Sequence, residues 1–118
     1  MAKFKELIVW QRAMDLVVLV YKKLEDFPKN EMYALSDQIR RCGVSIPSNI
    51  AEGAGRNSKK EFVQFLHIAL GSLYELQTQL EISERIGYIA NDEILLDKIF
   101  EIEKMLNALI SSIKKGIQ

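Results

Sequence analysis

The sequence has few of the residues that interrupt or cross-link a chain. Its 118 residues include one cysteine, two prolines and six glycines. A single cysteine, Cys42, excludes an internal disulfide framework and is typical of a reducing compartment. The scarcity of helix-breaking residues favours long helices over many short strands. A chain of this length forms one domain, 1–118, which buries roughly two-thirds of the surface that its unfolded chain exposes.

Long apolar runs are also missing. The longest run, residues 16–21, has six residues, whereas a helix needs about 20 apolar residues to cross a bilayer. The N-terminus lacks the apolar stretch of a secretory signal. From these absences we expect a cytoplasmic protein that has no membrane partner.

The charges cancel over the whole chain but are unevenly distributed along it. There are 16 basic and 16 acidic residues, so the net charge does not by itself favour nucleic acid as a partner. Residues 36–60 carry five basic and two acidic side chains, a net charge of +3, whereas residues 61–103 carry two basic and nine acidic side chains, a net charge of −7. The sequence therefore has a basic second quarter and an acidic third quarter.

Apolar residues at helical spacing predict four helices. The first runs from about Val9 to Leu24, and the second begins with Ser36 as its N-cap. The third begins with a capping box formed by Ser58 and Glu61, and the fourth begins with Asn91 as its N-cap. Four such helices joined by short loops are typical of an antiparallel up-down-up-down four-helix bundle, so the predicted fold class is all-α.

A proline interrupts the pattern of the second helix. Pro47 removes one backbone donor and crowds the carbonyl of Gly43, four residues earlier. We therefore expect helix two to be kinked at Pro47.

Helices one and three carry more apolar residues than one core seam requires. The predicted core stripe of helix one comprises Trp10, Ala13, Met14, Val17, Tyr21 and Leu24. The additional apolar residues of helices one and three are Leu16, Leu19, Val20, Phe65, Leu70 and Tyr74. A monomer that exposed them all would present a larger apolar patch than soluble monomers usually tolerate. The surplus therefore predicts a homo-oligomer.

None of the reactive residues forms a catalytic, metal or cofactor constellation in the sequence. His67 has no second ligand three or four residues away on its helix, where a metal site would need one. Cys42 lies on the predicted core stripe of helix two with no base nearby to lower its pKa. The glycines at 53 and 55 lack the lysine and the preceding strand of a phosphate-binding loop. We therefore expect a protein that is not an enzyme and has no cofactor.

Four polar residues share one face of the second helix, at spacings of four, three and four: Ser45, Asn49, Glu52 and Arg56. One interpretation is a binding surface that uses these polar groups. The other is a polar seam that sets helix register or forms a subunit contact. Polar groups that face a neighbouring helix must be satisfied and often specify geometry, which favours the second interpretation.

Five basic residues of the second quarter are candidates for binding nucleic acid: Arg40, Arg41, Arg56, Lys59 and Lys60. Guanidinium forks and lysine charges suit phosphates. No aromatic residues interleave with them, so base stacking is not supported. A solvated charged face is the alternative for a neutral monomer. An oligomer would repeat the patch around one axis, and this favours association with RNA or DNA.

The segment from Gln38 to Ser58, which includes Ser-Ile-Pro-Ser-Asn-Ile-Ala-Glu-Gly, resembles a family of four-helix bundles, the 23S ribosomal-RNA intervening-sequence proteins. Val9–Ala13, Phe27-Pro28 and Gly71–Leu76 extend the resemblance. It implies a left-handed bundle that commonly forms a homopentamer, in a family first noticed inside insertions in ribosomal-RNA genes. Cys42-Gly43 departs from the pattern, because many members carry two small alanine-like residues there.

A group of proteins related to this family indicates which partners to expect. In the accessory proteins of diversity-generating retroelements, a basic pentameric barrel binds nucleic acid and the reverse transcriptase. By this resemblance the expected function is a non-enzymatic oligomeric binding or scaffold protein, preferably a pentamer, that associates with RNA or DNA through its basic segment. A structural or protein–protein adaptor with no nucleic-acid role is the alternative.

Overall fold

In the described part of the chain, residues 3–31 and 34–117, the computed structural model contains four α-helices and no strand. The helices are α1 (Ile8–Leu24), α2 (Leu35–Ala54), α3 (Lys59–Arg85) and α4 (Glu93–Lys115). They contact one another in cyclic order, α1 with α2, α2 with α3, α3 with α4 and α4 with α1. The predicted all-α four-helix bundle is therefore confirmed.

The start of α3 is as predicted, but those of α2 and α4 differ. The Ser58 hydroxyl accepts the backbone N–H of Glu61 at 3.2 Å. At α4 the cap is Asp92, whose Oδ1 accepts the N–H of Leu95 at 3.0 Å. Asn91, the predicted cap, lies one residue too early.

The side chain of Asn91 has a different partner, since its amide donates to Glu93 Oε1 at 3.1 Å. Ser36 is also not a cap, because α2 begins at Leu35 and Ser36 lies buried in its first turn.

All four helices contribute to one apolar core. Leu16, Ile46, Leu73 and Ile102, one from each helix, are fully buried. Each buried side chain of this size stabilises the fold by roughly 1.5–3 kcal/mol relative to leaving it exposed. The bundle that encloses this core measures 48 × 24 × 20 Å.

The predicted stripe of α1 is wrong in part. Leu16 and Val20 are fully buried, whereas Met14 is 41% and Tyr21 43% exposed. The reason is that α1 is apolar around most of its circumference. Spacing alone therefore leaves the inward side undetermined, and the packing of α2 and α4 selects it.

The burial of these side chains also corrects the prediction of which apolar residues are available for self-association. Leu16, Val20 and Leu70 belong to the core, and Leu19 and Phe65 are half-buried. Of the six surplus residues only Tyr74 is exposed. The apolar surplus that remains at the surface therefore consists of other side chains.

Helices α2 and α3 lie close together at a glycine. A Cβ on Gly53 would lie 2.6 Å from Phe65 Cβ and 3.0 Å from the ring of Phe62, so only glycine fits. Going from Cys42 to Gly53 along α2, the α3 partners run backwards, from Glu75 to Phe65. This order is the one expected for an antiparallel pair. The up-down-up-down order of the whole bundle and the bend at Pro47 stay predictions.

Candidate functional site

The polar face of α2 contacts α3 through Ser45. The hydroxyls of Ser45 and Ser72 are hydrogen-bonded at 2.8 Å. The amide of Asn49 donates to the carbonyl oxygen of Ser45 at 2.8 Å and to its hydroxyl at 2.9 Å. The Ser45–Ser72 bond crosses from α2 to α3, and Asn49 bonds Ser45 within α2. These bonds favour the interpretation that Ser45, supported by Asn49, sets the register of the two helices.

The other two residues of that face form a surface pair. Arg56 Nη2 lies 3.2 Å from Glu52 Oε1. The same guanidinium lies 5.0 Å from the ring centroid of Phe65, a cation–π contact. Arg56 is thereby held in a fixed position just beyond the end of α2.

Cys42 is held in its thiol form. Its side chain is buried, and Sγ donates to Glu75 Oε2 at 3.3 Å. Burial raises the pKa of the Cys42 thiol, and the hydrogen bond and charge of Glu75 raise the pKa further. These surroundings oppose the thiolate that a nucleophile or a metal ligand would require.

His67 lies exposed on α3. Within residues 3–31 and 34–117, no group of three or more His, Cys, Asp or Glu side chains is placed to hold a metal ion. The same ranges contain no helix with both the length and the hydrophobicity to span a bilayer.

The five predicted nucleic-acid residues do not form one cluster. Arg41 pairs with Asp37 at 3.2 Å, and the Arg40 guanidinium lies 5.7 Å from the ring centroid of Tyr21. Arg40 precedes the last residue of α2, Ala54, by 14 residues, which is about 21 Å along the helix. Arg40 and Arg41 are thus separated from the other three.

The structure adds two basic residues that the sequence argument missed. Lys59 Nζ lies 3.1 Å from the position that a Cβ on Gly116 would occupy, so the start of α3 lies beside the end of α4. The last turn of α4 carries Lys114 and Lys115, both exposed. We call the resulting cluster the basic end, and it consists of Arg56, Lys59, Lys60, Lys114 and Lys115. Glu52 and Glu61 are the acidic residues of the same segments.

Acidic residues surround the far ends of α3 and α4. A groove of about 410 Å³ there is lined by Glu81, Glu84, Asp92 and Glu93, with Leu80, Leu95 and Ile99 among its apolar lining. The Leu95 N–H that Asp92 accepts lowers the pKa of this carboxyl, and Lys23, 3.4 Å away, lowers it further. Arg85 also lines this groove and pairs with Glu81 at 2.8 Å, so the acidic charge of the groove is partly neutralised.

One solved structure matches the chain closely in fold. It is a protein with unknown function from the S23 ribosomal protein family, from Bacteroides thetaiotaomicron VPI-5482. The two are 28% identical, with a TM-score of 0.81 over 88% of this chain and 96% of that chain. No match is found among curated proteins.

The match to a protein family covers most of the chain. Residues 5–108 match the 23S rRNA-intervening sequence proteins, a range that includes all of α1, α2 and α3 and most of α4. Neither this family's description nor that of the solved relative names a catalytic activity. The chain belongs to the 23S rRNA-intervening sequence protein family.

Proposed function

We propose that this protein is a non-enzymatic binding module that self-associates and binds RNA or DNA through its basic end. The observation that carries the proposal is the convergence of basic residues from two places in the sequence. Arg56, Lys59 and Lys60 come from the connection between α2 and α3, and Lys114 and Lys115 come from the last turn of α4. A neutral chain thus concentrates positive charge where it can neutralise phosphates.

The local structure of the basic end suits phosphate contacts. The N-terminus of α3, a helix of 27 residues, adds the positive end of its dipole. Lys59 sits against the C-terminal end of α4, where its charge also stabilises the helix dipole. Lys60, Lys114 and Lys115 are exposed, so they are the strongest candidates for direct contacts.

Self-association is part of the proposal, with a pentamer preferred on the resemblance. Apolar side chains remain exposed on α1, α2 and α3, among them Val18 at 55% and Ile68 at 51%. An oligomer would repeat the basic end around its axis and add the charges of several copies. We place this activity in the cytoplasm, in keeping with the unpaired thiol of Cys42.

Fluorescence anisotropy with labelled single-stranded RNA and double-stranded DNA of unrelated sequences tests the proposal. If phosphate contacts dominate, affinity is nearly independent of sequence and falls steeply with salt. The log–log slope is about −0.7 per neutralised phosphate for single strands and about −0.9 for B-DNA. No binding to either ligand at low salt would contradict the proposal.

Matched variants locate the site. Replacing Lys114 and Lys115 with glutamine should weaken binding and reduce the magnitude of the salt slope. The control replaces Lys22 and Lys29, two exposed lysines near the far end of α1, with glutamine. It removes the same charge and should leave the slope unchanged. Equal effects of the two double variants would mean that only net charge matters.

Replacing Arg56, Lys59 and Lys60 together with glutamine extends the test. The triple variant should also reduce the magnitude of the salt slope without unfolding the bundle, because all three residues are exposed and flank a turn. Arg40 and Arg41 should contribute less to the salt slope, because they lie on α2 away from the basic end.

A structural or protein–protein adaptor is the second candidate. It is favoured by the ion pairs that Arg41 and Arg56 already make with Asp37 and Glu52 within the chain. An intact oligomer that binds neither RNA nor DNA would support this reading. On the resemblance, a reverse transcriptase is the protein partner to try first.

A further inference from the structure

The outward side of α3 carries a glycine for which the fold itself gives no reason. Gly71 lies in the interior of α3 and is exposed. A Cβ built there would meet nothing within 4 Å, and positive φ among the described residues occurs only at Gly87. Glycine is the poorest helix former after proline. A residue that weakens the helix without serving intramolecular packing points to a contact made outside the subunit.

Gly71 is part of a regular surface stripe. Ile68, Gly71, Glu75, Thr78 and Ile82 are spaced by three and four residues in alternation, and all five are exposed. We call this set the outer stripe. Such spacing places residues on one side of a helix, as required when two helices pack together. A glycine within the outer stripe permits close backbone approach.

A second surface on the same subunit has complementary properties. Met14, Val18 and Tyr21 of α1 and Val44 of α2 are each more than 40% exposed. Arg40 lies beside them over the Tyr21 ring, and it makes no ion pair within residues 3–31 and 34–117. We call this set the α1–α2 face. It is apolar with one positive charge, whereas the outer stripe has isoleucines on either side of one negative charge, Glu75.

We infer that the outer stripe of one copy packs on the α1–α2 face of the next copy. Gly71 lets α3 approach the neighbouring helices, and the isoleucines contact apolar side chains of the α1–α2 face. Glu75, whose Oε2 accepts the Cys42 thiol of its own subunit, pairs with Arg40 of the next copy through its other oxygen. A second copy is the occupant that the charges favour, because one chain carries both halves of the contact. The inference rests on the proposed self-association and names its surfaces.

The contact joins two different surfaces, so it is heterologous. Each copy uses its outer stripe towards one neighbour and its α1–α2 face towards the other. Such contacts build a closed ring, or an open chain if the rotation does not close.

Sedimentation velocity on a leucine variant tests the contact. Gly71→Leu should reduce the assembly to the 13.5 kDa monomer, because the larger side chain blocks close approach. Leucine is a better helix former than glycine, so the subunit itself should stay folded by circular dichroism. Ser111→Leu is the control, at an exposed site on α4 outside both surfaces, and should keep the wild-type mass.

Mixing two defective variants tests the heterologous geometry. Val18→Glu should also yield monomers, because it places an unpaired carboxylate in the apolar part of the contact. Gly71→Leu retains an intact α1–α2 face, and Val18→Glu retains an intact outer stripe. An equimolar mixture should therefore form a heterodimer of about twice 13.5 kDa and nothing larger.

A charge exchange checks the proposed pair. Arg40→Glu and Glu75→Arg should each shift the distribution towards smaller species, and the double variant should restore the wild-type distribution. The contact is overturned if Gly71→Leu keeps the wild-type mass or if the mixture stays monomeric.

The failures can be told apart. A monomeric mass for the wild-type protein would contradict both the proposed self-association and this contact. If the wild type assembles and Gly71→Leu keeps the same mass, only the proposed contact is contradicted, and self-association stands. Anisotropy with RNA reports on the basic end independently of both results.

Discussion

At the scale of single residues, the close packing of α3 on α2 depends on Gly53. We expect Gly53→Ala to lower the free energy of unfolding by about 1–3 kcal/mol, because the new Cβ would overlap Phe65. Urea denaturation followed by circular dichroism measures the change. Ser48→Ala, at an exposed site on the same helix, should change stability by less than about 0.5 kcal/mol. Equal stability of both variants would show that α3 moves away at little cost.

The residues of the candidate site were predictable from the sequence to different degrees. The helical spacing of Ser45 and Asn49 was enough to place them on one face, and the burial of Cys42 followed from its position on the core stripe. The roles of Ser72 and Glu75 as hydrogen-bond partners of Ser45 and Cys42 were not predictable. They depend on how far α3 is shifted along α2, and Gly53 permits that close approach. A pattern within one helix contains no information about the register between two.

At the scale of elements, the start of α4 depends on one carboxylate. Asp92→Ala should lower the free energy of unfolding by about 1 kcal/mol at neutral pH, because it leaves the N–H of Leu95 without its acceptor. Asn91→Ala should have a smaller effect, since the asparagine bonds a side chain and not the helix end. Urea titrations of both variants measure the difference.

The effect of Asp92 should depend on pH in a defined direction. Its folded pKa lies below the ordinary value of 3.8. A carboxyl whose pKa is lower in the folded state stabilises the fold at pH values above its unfolded pKa. This stabilisation is lost as the pH falls through its folded pKa. The difference in the free energy of unfolding between the wild type and Asp92→Ala should therefore become smaller below about pH 4. A difference of the same size at pH values well below the folded pKa would contradict this account.

The proline of α2 offers a second test at this scale. Pro47→Ala restores a backbone donor in the helix interior and should straighten α2 if the helix bends there. We expect unchanged helicity by circular dichroism but an altered oligomer distribution by light scattering, because α2 forms part of the α1–α2 face. An unaltered mass would mean that the bend does not influence assembly.

Helix α1 shows where prediction of an element reaches its limit. Its boundaries follow from spacing and from Pro28, which limits the helix at its C-terminal end. Its inward side did not follow, because Leu16 and Val20 are as apolar as Met14 and Tyr21. The side that faces inward is chosen by contacts with the other helices, including that of Val20 with Gly43 of α2. In helix α4 the apolar residues recur at helical spacing, and five of them are buried: Leu95, Ile99, Ile102, Leu106 and Ile110.

At the scale of the whole molecule, the basic end brings together residues that are distant in the sequence. Lys59 and Gly116 are far apart in the sequence but lie close together because α3 begins where α4 ends. In the sequence alone, a favourable position at a helix C-terminus is a sufficient explanation for Lys114 and Lys115. Only the packing of the helices places the end of α4 beside the start of α3.

Assembly should appear in the thermal stability of the whole protein. Subunits that associate only when folded raise the melting temperature as concentration increases. We expect Tm to rise measurably over an increase in concentration of about a hundredfold, and to stay constant for Gly71→Leu, whose contact is blocked. Differential scanning fluorimetry at several concentrations measures this. A constant Tm for the wild type would contradict self-association.

The tight pairing of α2 with α3 also has a consequence for the order in which the chain folds. Only residues 55–58 connect the two helices, so bringing them together costs little loop entropy and favours early contact. We therefore expect this hairpin to be formed in the transition state for folding. In stopped-flow experiments Gly53→Ala should mainly slow refolding, whereas Asp92→Ala, at the start of the helix that joins later, should mainly speed unfolding.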